Sequence, residues 1–500
     1  MYIEPSTNIK ILKNVPLDKT YTNTLYFEDK TKQYNYFSGL IKHNLTDQTY
    51  QRVNKGVSRV GIKAEALYDC NYMMFQNASF GSKWFYAFIT SVEYVNNVVS
   101  QINFELDVMQ TWFYDCTLRD CFVEREHAEI DKVGMNLLPE NVDLGPYVTA
   151  HTAQTGLFDR NDVVCAYVSD VNTNGKIING VYTGLSYFRA HEDNNEQLAT
   201  FNSILQGMIE TNQIDSVVSI FMFPSELCKP DLKMAYPKVF AIDKRTTQLG
   251  NESTGYYVPT NQKLLTYPYN LLTVENGCGD VSTLRYEFFA PYENNTSKCG
   301  FMLVAYLSPT PEVMVVPFGY NGETTYYNEK ITIKDFPQCA FAIDSYKAWL
   351  AQNAYKVPIQ LGGALIGAIG RGDFLGASSA IGNVLQAELL PNQAKGNQGG
   401  SVMFAGGFLD FYFRNKTITP EYAKIIDDYF SMYGYATNEN KVPNIHSRPH
   451  WNYVKTKTTN IIGSVPSDDL KTIKEIFQKG ITFWKKGDEV GNYHLYNAPT

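Results

Sequence analysis

The chain has 500 residues, too many for one ordinary domain, and about three domains is the starting expectation. At this length a hydrophobic core forms without help from a metal or a disulfide framework. A formal charge of −8 excludes a protein whose main task is gripping phosphate backbones, yet is compatible with DNA sliding past. The 36 Tyr and 29 Phe lean the fold towards strands, because aromatic side chains suit a pleated, half-buried surface.

From the start to about Asp120, aromatic and polar residues alternate between turn signals. The N-terminal run "MYIEPSTNIKILKNVPLDKTY" lacks a basic start followed by an apolar stretch, so no secretory signal is expected. Residues 83–107 predict a hairpin of two strands joined at "VNN". Between Cys121 and Ala342 shorter strands follow, such as "VVCAYVSD", "SVVSIFMF" and "FMLVAYLSP", separated by Asn- and Gly-rich turns. One helix interrupts them at "NEQLATFNSILQGMIE", where Leu198, Phe201, Leu205, Met208 and Ile209 share a face.

A further helix is predicted at "DSYKAWLAQNAYK", stopped by Pro358, and an apolar segment begins at once. "PNQAKGNQGG" closes that segment as a flexible linker. Near the C-terminus, Thr419 as cap, Pro420 as first residue and Gly434 as stop predict a helix. Its apolar stripe would be Tyr422, Ile425, Ile426, Tyr429, Phe430 and Tyr433, opposed by Lys424, Asp427 and Asp428. "SDDLKTIKEIFQKG" repeats the logic, with Ser467 as cap and Gly480 as stop.

Enzyme signatures are absent from the sequence: no GxxxxGK[ST], GxSxG, HExxH or EF-hand loop occurs. The eight cysteines contain no CxxC and read mostly as free thiols. "HSRPH" spaces His446 and His450 as ligands are spaced on a helix, but Pro449 opposes a helix, and a loop stacked on aromatic rings is the better reading. "VEREHAEID" clusters Glu124, Glu126, His127, Glu129 and Asp131. Catalysis would need carboxylates in unequal environments facing one cleft, whereas alternating charge around Arg125 marks a solvated strand or a salt-bridged interface.

Residues 359–390 stand apart: "IQLGGALIGAIGRGDFLGASSAIGNVLQAELL" carries only Arg371, Asp373 and Glu388 as charges. Ala364, Ala368, Gly372, Gly376 and Ala380 recur every fourth position, so a helical segment would present a small-residue face for close packing in lipid. Leu365, Ile369, Phe374, Leu375 and Ile381 supply the bulk, joined by Leu361, Ile366, Val384 and Leu385, with Gly362 and Gly363 near the start. Neither half spans a bilayer alone, but the whole is long enough for a hairpin or bent insertion with "RGD" at a watery face. A buried glycine-rich core loop or a plain linker has the same composition, and that reading stays open.

The words "NVPLDKTYTNTLYF", "QYNYF", "YMMFQNASFGSKWFYAFIT", "FELDVMQTWFYD", "VEREH", "DSYKAWLAQN", "DDYFSMYGYATN" and "RPHWNYVKTK" occur in that order. In them the chain resembles the tail knob, or distal tail tube, proteins of small short-tailed phages that infect Gram-positive bacteria. The resemblance covers both ends and the middle, and is faint from about Phe122 to Ala342. It implies a hexameric ring at the far end of a virion tail, assembled in the host cytoplasm with other phage tail proteins. It further implies β-rich tube domains around a channel for double-stranded DNA, which passes without specific binding. A hydrophobic loop from each subunit would plug the channel and then enter the host cytoplasmic membrane, and the segment starting at Ile359 occupies that position.

The fold expected is therefore mainly β (α+β) and multi-domain, with barrel- or sandwich-like tube domains forming a ring, a few helices and one long hydrophobic loop. The expected division is an N-terminal tube domain (1–120), middle β-rich knob domains (121–342), a helix with the membrane-active loop (343–410) and a C-terminal tube part (411–500). No catalytic residue, metal or cofactor is assigned. Two alternatives remain: a tail-associated cell-wall glycan hydrolase using Glu124, Glu126 or Asp131, and a receptor-binding adhesin in the middle region.

Overall fold

The computed structural model describes residues 6–339, except 49–50, 54, 158, 170–176, 179–180, 192, 228–237, 245, 278, 310, 323–328 and 334–337, and residues 410–499. Its architecture is mainly β: several sheets and, among the described residues, five α-helices. The chain divides into two compact units that do not follow chain order. One comprises Met1–Asp143, Pro259–Leu264 and Glu421–Thr500, and the other Leu144–Val258 and Leu265–Pro420.

The first unit is built on a seven-stranded antiparallel sheet in the order Ile41–Gln48, Thr7–Lys13, Cys70–Gln76, Trp84–Asn96, Val99–Leu106, Lys55–Val60, Gln51–Val53. The expected hairpin is present, with Asn96 opposite Val99 at its tip. Both faces of this sheet are covered, and the period of two divides its residues between two cores. Met73 and Phe75 join Ile9, Ile11, Ile102 and Phe104 on one side. Tyr72 and Met74 join Phe37, Phe88, Trp451 and Trp484 on the other. Phe37 comes from the helix Lys30–Ser38, whose first turn is capped by Asp29 accepting from the Lys32 N–H at 2.7 Å.

A five-stranded sheet in the same unit runs Asn23–Leu25, Ile481–Trp484, Trp451–Thr458, Cys121–Glu126, Tyr435–Lys441. Chain ends thus pair directly: Asn23–Leu25 lies parallel to Ile481–Trp484. The helix Pro420–Tyr433 forms as expected and stops at Gly434, whose φ of 66° lies in the left-handed region. A Cβ there would sit 2.1 Å from the Glu126 carbonyl oxygen, so glycine is required twice over.

The face of that helix differs from the expected stripe. Asp427 is buried at 1% exposure while Ile425 is 60% exposed. The reason is local chemistry: the Asp427 carboxylate accepts from the backbone N–H groups of Thr260 (2.7 Å) and Asn261 (2.9 Å). The helix Ser467–Lys479 ends at Gly480 as expected, but Ser467 is its first residue, and Pro466 occupies the cap without a side-chain bond. Pro466 supplies the extended entry, while Asp468 and Asp469 lie in the first turn, where negative charge is favoured.

The second unit holds three four-stranded sheets, antiparallel throughout. The first runs Tyr147–Gln154, Tyr412–Ile418, Asn270–Glu275, Val281–Leu284. The second runs Ser186–His191, Asn161–Tyr167, Val217–Pro224, Gln338–Cys339. The third runs Lys238–Asp243, Lys298–Tyr306, Glu312–Phe318, Ile331–Ile333. The continuous apolar run Val163–Val164–Cys165–Ala166 is explained by burial on both faces. Val163 and Cys165 pack on Leu198, Phe201 and Leu205 of the helix Asn195–Glu210, while Val164 and Ala166 enter a core with Phe221, Leu272, Phe301 and Phe413.

Candidate functional site

The apolar-segment residues Leu361, Gly362, Gly363, Leu365, Ile366, Ile369, Phe374, Leu375, Ile381, Val384 and Leu385 lie outside the described residues. So do the small residues Ala364, Ala368, Gly372, Gly376 and Ala380, and the predicted helix at "DSYKAWLAQNAYK". What is described is where the chain leaves for that segment and where it returns, both in the second unit. On the outgoing side, Gln338–Cys339 pairs with the strand Val217–Pro224, setting Cys339 opposite Ile220 and Gln338 opposite Phe221.

On the returning side, Asp410 anchors the chain. Its carboxylate accepts from the N–H groups of Gly156 (2.8 Å) and Phe411 (2.7 Å) and from the Thr155 hydroxyl. Phe411 is fully buried, and its carbonyl accepts from the Thr155 N–H at 3.3 Å. The Phe413 ring packs edge-on against Phe301 and Phe240, at 4.7 and 5.5 Å between centroids. Tyr412–Ile418 is moreover an inner strand, hydrogen-bonded on both sides, so displacing this root would break two ladders at once. Asp410 escapes the sequence reading, although an acid inside the aromatic run "FLDFYF" signals a charge held by buried partners.

The acidic cluster lies in the first unit, on and just after the inner strand Cys121–Glu126. Each acid that the strand brings inward has a structural partner. Glu124 pairs with Lys455 at 2.9 Å. Glu126, 2% exposed, pairs with Lys441 at 2.6 Å and accepts from the Asn444 N–H at 2.7 Å. Burial raises its carboxyl above the usual value, opposed by those two partners. Asp131 accepts from the Tyr435 hydroxyl (2.9 Å) and the Gln262 N–H (3.2 Å), and burial raises its carboxyl likewise. Glu129 is exposed.

Arg125 and His127 belong to the same lattice. Arg125 pairs with Glu140, donates to the Gly434 carbonyl and lies over the Tyr429 ring at 4.8 Å. Glu140 also takes the buried Lys263 at 2.7 Å. His127 Nδ1 accepts from the Tyr453 N–H at 2.7 Å and Nε2 lies 3.1 Å from the Ser431 carbonyl, which fixes a neutral imidazole with the proton on Nε2. Burial holds its pKa down to about 3, in agreement with that assignment. The cluster is thus the salt-bridged alternative read from the alternating charges, and its groups hold the strand, the helix Pro420–Tyr433 and the residues Thr260–Lys263 together.

The pair His446 and His450 is separated by its partners. His446 stacks on Tyr26 with centroids 5.6 Å apart and planes 12° from parallel. His450 Nδ1 lies 2.8 Å from the Glu489 carboxylate. No group of three His, Cys, Asp or Glu is placed to hold a metal among the described residues. Among those residues, too, no helix is long and apolar enough to cross a membrane.

Residues 233–498 match the family model of the C-terminal domain of tail knob protein gp9 of Bacillus phage phi29. Residues 5–117 match that of the N-terminus of the caudoviral major tail protein. Tail knob protein gp9 of Bacillus phage B103 is 28% identical, with 98% of each chain covered. That of phi29 itself is 26% identical, again over 98% of each. These alignments, 593 and 605 positions long, exceed the 500 residues of the chain, so the relatives carry insertions relative to it. The tail knob protein gp12 of bacteriophage C1 has the same fold, with a TM-score of 0.65 at 17% identity over 99% of this chain and 100% of the other. More than half of the sequence lies within the first of these matches, and the chain belongs to the family of tail knob proteins of short-tailed phages of Gram-positive bacteria.

Proposed function

We propose that this structural protein of the phage tail assembles as a hexameric ring whose β-rich parts surround a channel for double-stranded DNA. In this reading the segment 359–390 plugs the channel in the particle and enters the host cytoplasmic membrane on release. The observation that carries the proposal is the root to which the chain returns: downstream of the apolar segment, which closes at Leu390, the chain enters at Tyr412 an inner strand that is bonded on both sides. A rigid root lets a segment change its surroundings without dismantling the frame. The acidic balance of the chain favours DNA sliding over DNA binding.

Energetics restrict how the segment enters lipid. It contains twelve Leu, Ile, Val and Phe residues. At about 0.3–0.6 kcal/mol each at a bilayer centre, they contribute roughly 4–7 kcal/mol. Arg371 and Asp373 cost about 2.5–3.5 kcal/mol each if placed at the same depth, which cancels the gain. Insertion therefore requires the "RGD" turn at a watery face or in a lumen shared by several copies.

Deleting residues 362–396 tests this reading. Rings counted by electron microscopy should persist, while dye release from liposomes and genome delivery should disappear. Dye release by the shortened protein equal to that of the intact one would overturn the proposal.

A further inference from the structure

Two short stretches of the first unit turn clusters of apolar side chains towards solvent. One is the tip of the hairpin formed by Trp84–Asn96 and Val99–Leu106. Every residue from 93 to 98 is exposed there, and Tyr94, Val95 and Val98 are 42–63% so. The neighbouring strand Cys70–Gln76 pairs only with Trp84–Phe88. Among the described residues the outer edge of the hairpin from 89 to 96 therefore has no partner strand, a template for another chain. Its own bonds hold the tip in shape: Asn96 Oδ1 accepts from the N–H groups of Val98 and Val99, both at 2.9 Å, and the Tyr94 hydroxyl donates to Asn97 Oδ1 at 2.7 Å.

The other stretch is the connection that follows the inner strand Cys121–Glu126. It is pinned at Asp131, by the Tyr435 hydroxyl and the Gln262 N–H, and at Glu140, by Lys263 and by the Ala436 N–H at 2.8 Å. Between the pins the Met135 N–H donates to the Lys132 carbonyl at 3.2 Å, and Gly134 takes a φ of 90° to make the turn. Ile130, Met135, Leu137 and Leu138 are 40–57% exposed. Apolar residues scattered singly need no explanation, but a cluster on a loop fixed at both ends marks a contact surface.

Charge selects the occupant. Glu93 is the sole charge between residues 84 and 104, and its carboxylate is held by the amides of Gln101 (3.0 Å) and Asn103. Lys132 is exposed and has no ion pair among the described residues. Tip on tip would bring two Glu93 carboxylates together, and loop on loop would leave the tip uncovered. Tip on loop covers both apolar clusters and sets Glu93 against Lys132. Two different patches on each copy make a head-to-tail contact, the kind that closes into a ring when the rotation allows.

We propose that the hairpin tip of one copy, through Tyr94, Val95 and Val98, packs on the loop 130–138 of the next copy, with Glu93 against Lys132. This rests on the ring reading above and adds which surfaces of the copies meet. The test places a benzophenone amino acid at position 94 of the full-length protein, assembled from mixed unlabelled and heavy-isotope-labelled chains, so that mass spectrometry separates adducts between copies from those within one. The adducts should fall within 130–138 of another copy. Leu137→Asp combined with Leu138→Asp, both exposed positions, should weaken association about tenfold or more in sedimentation while the urea midpoint stays that of wild type. Glu93→Lys should weaken association too, and Lys132→Glu added to it should restore it. Rings whose adducts lie elsewhere, tip to tip included, or association unchanged in the double Asp variant, would overturn this contact and leave the ring standing. A wild-type protein that stays monomeric would overturn the contact and the ring together.

Discussion

Asp427 provides the sharpest test of the lattice that holds the first unit together. Its buried carboxylate receives two backbone N–H groups, from Thr260 and Asn261, and the Asn261 side-chain amide at 2.8 Å. In Asp427→Ala these three donors lose that acceptor in a site closed to water. The Asn261 amide keeps the backbone carbonyl of residue 427 and Ser431 Oγ, so two backbone N–H groups are left unsatisfied, at about 1–3 kcal/mol each or roughly 2–6 kcal/mol in all. Removing the carboxylate also removes its own desolvation cost, which returns about 1–2 kcal/mol. The expected loss is about 3 kcal/mol, and about half of that for Asp427→Asn, which keeps one acceptor oxygen. Trp84, Trp112, Trp451 and Trp484, four of the five tryptophans, belong to the first unit, so urea titration followed by tryptophan emission reads it selectively. With a slope of about 2 kcal/mol/M the midpoint should fall by about 1–2 M. A shift equivalent to less than 1 kcal/mol would refute the assignment of Asp427 as the keystone of this contact.

Two buried groups predict opposite pH dependences. Burial raises the Asp107 carboxyl to about 6, so its contribution is present below pH 4 and is lost as the pH rises through 6. Asp107→Asn, which can still meet Gln110 N–H and Tyr72 Oη, should flatten this limb by about 3 kcal/mol in urea midpoints measured from pH 4 to 8. Burial lowers His127 to about 3, so its contribution is present above pH 6.5 and is lost as the pH falls towards 3. His127→Gln should flatten that acid limb by roughly 5 kcal/mol; equal slopes in wild type and variant would contradict a buried neutral imidazole. Gly434→Ala should cost about 3 kcal/mol or more, combining left-handed backbone strain with the clash on the Glu126 carbonyl. A Gly434→Ala chain as stable as wild type in the same titration would exclude that clash.

Local pattern carried much of the fold. The hairpin, the helices at 195–210, 420–433 and 467–479, and the glycine stops of the last two were legible because periodicity and capping are written in consecutive residues. Asp427 was not, because an acid on a helix reads as solvated until its partners are known, and these lie 166 and 167 residues away. The same distance problem hid Lys263, in the short 3-10 helix Gln262–Leu265, and Glu140, which meet only in three dimensions. Sheet order is non-local too: nothing in "FYFRNKTI" says that it lies between Tyr147–Gln154 and Asn270–Glu275. The stacked His446 was legible from Pro449 alone, since a proline that forbids the helix forbids the paired-ligand geometry. The apolar segment was legible as composition, and composition leaves its surroundings in the particle to experiment.

The most direct measurement is photocrosslinking with a lipid whose acyl chain carries a reactive diazirine, followed by mass spectrometric mapping of the assembled protein after triggered release on liposomes. The account predicts lipid adducts concentrated on Leu365, Ile369, Phe374, Leu375 and Ile381, absent before release and absent from Arg371 and Asp373. Adducts spread evenly over the chain, or none within 359–390 after release, would contradict entry of this segment into the bilayer.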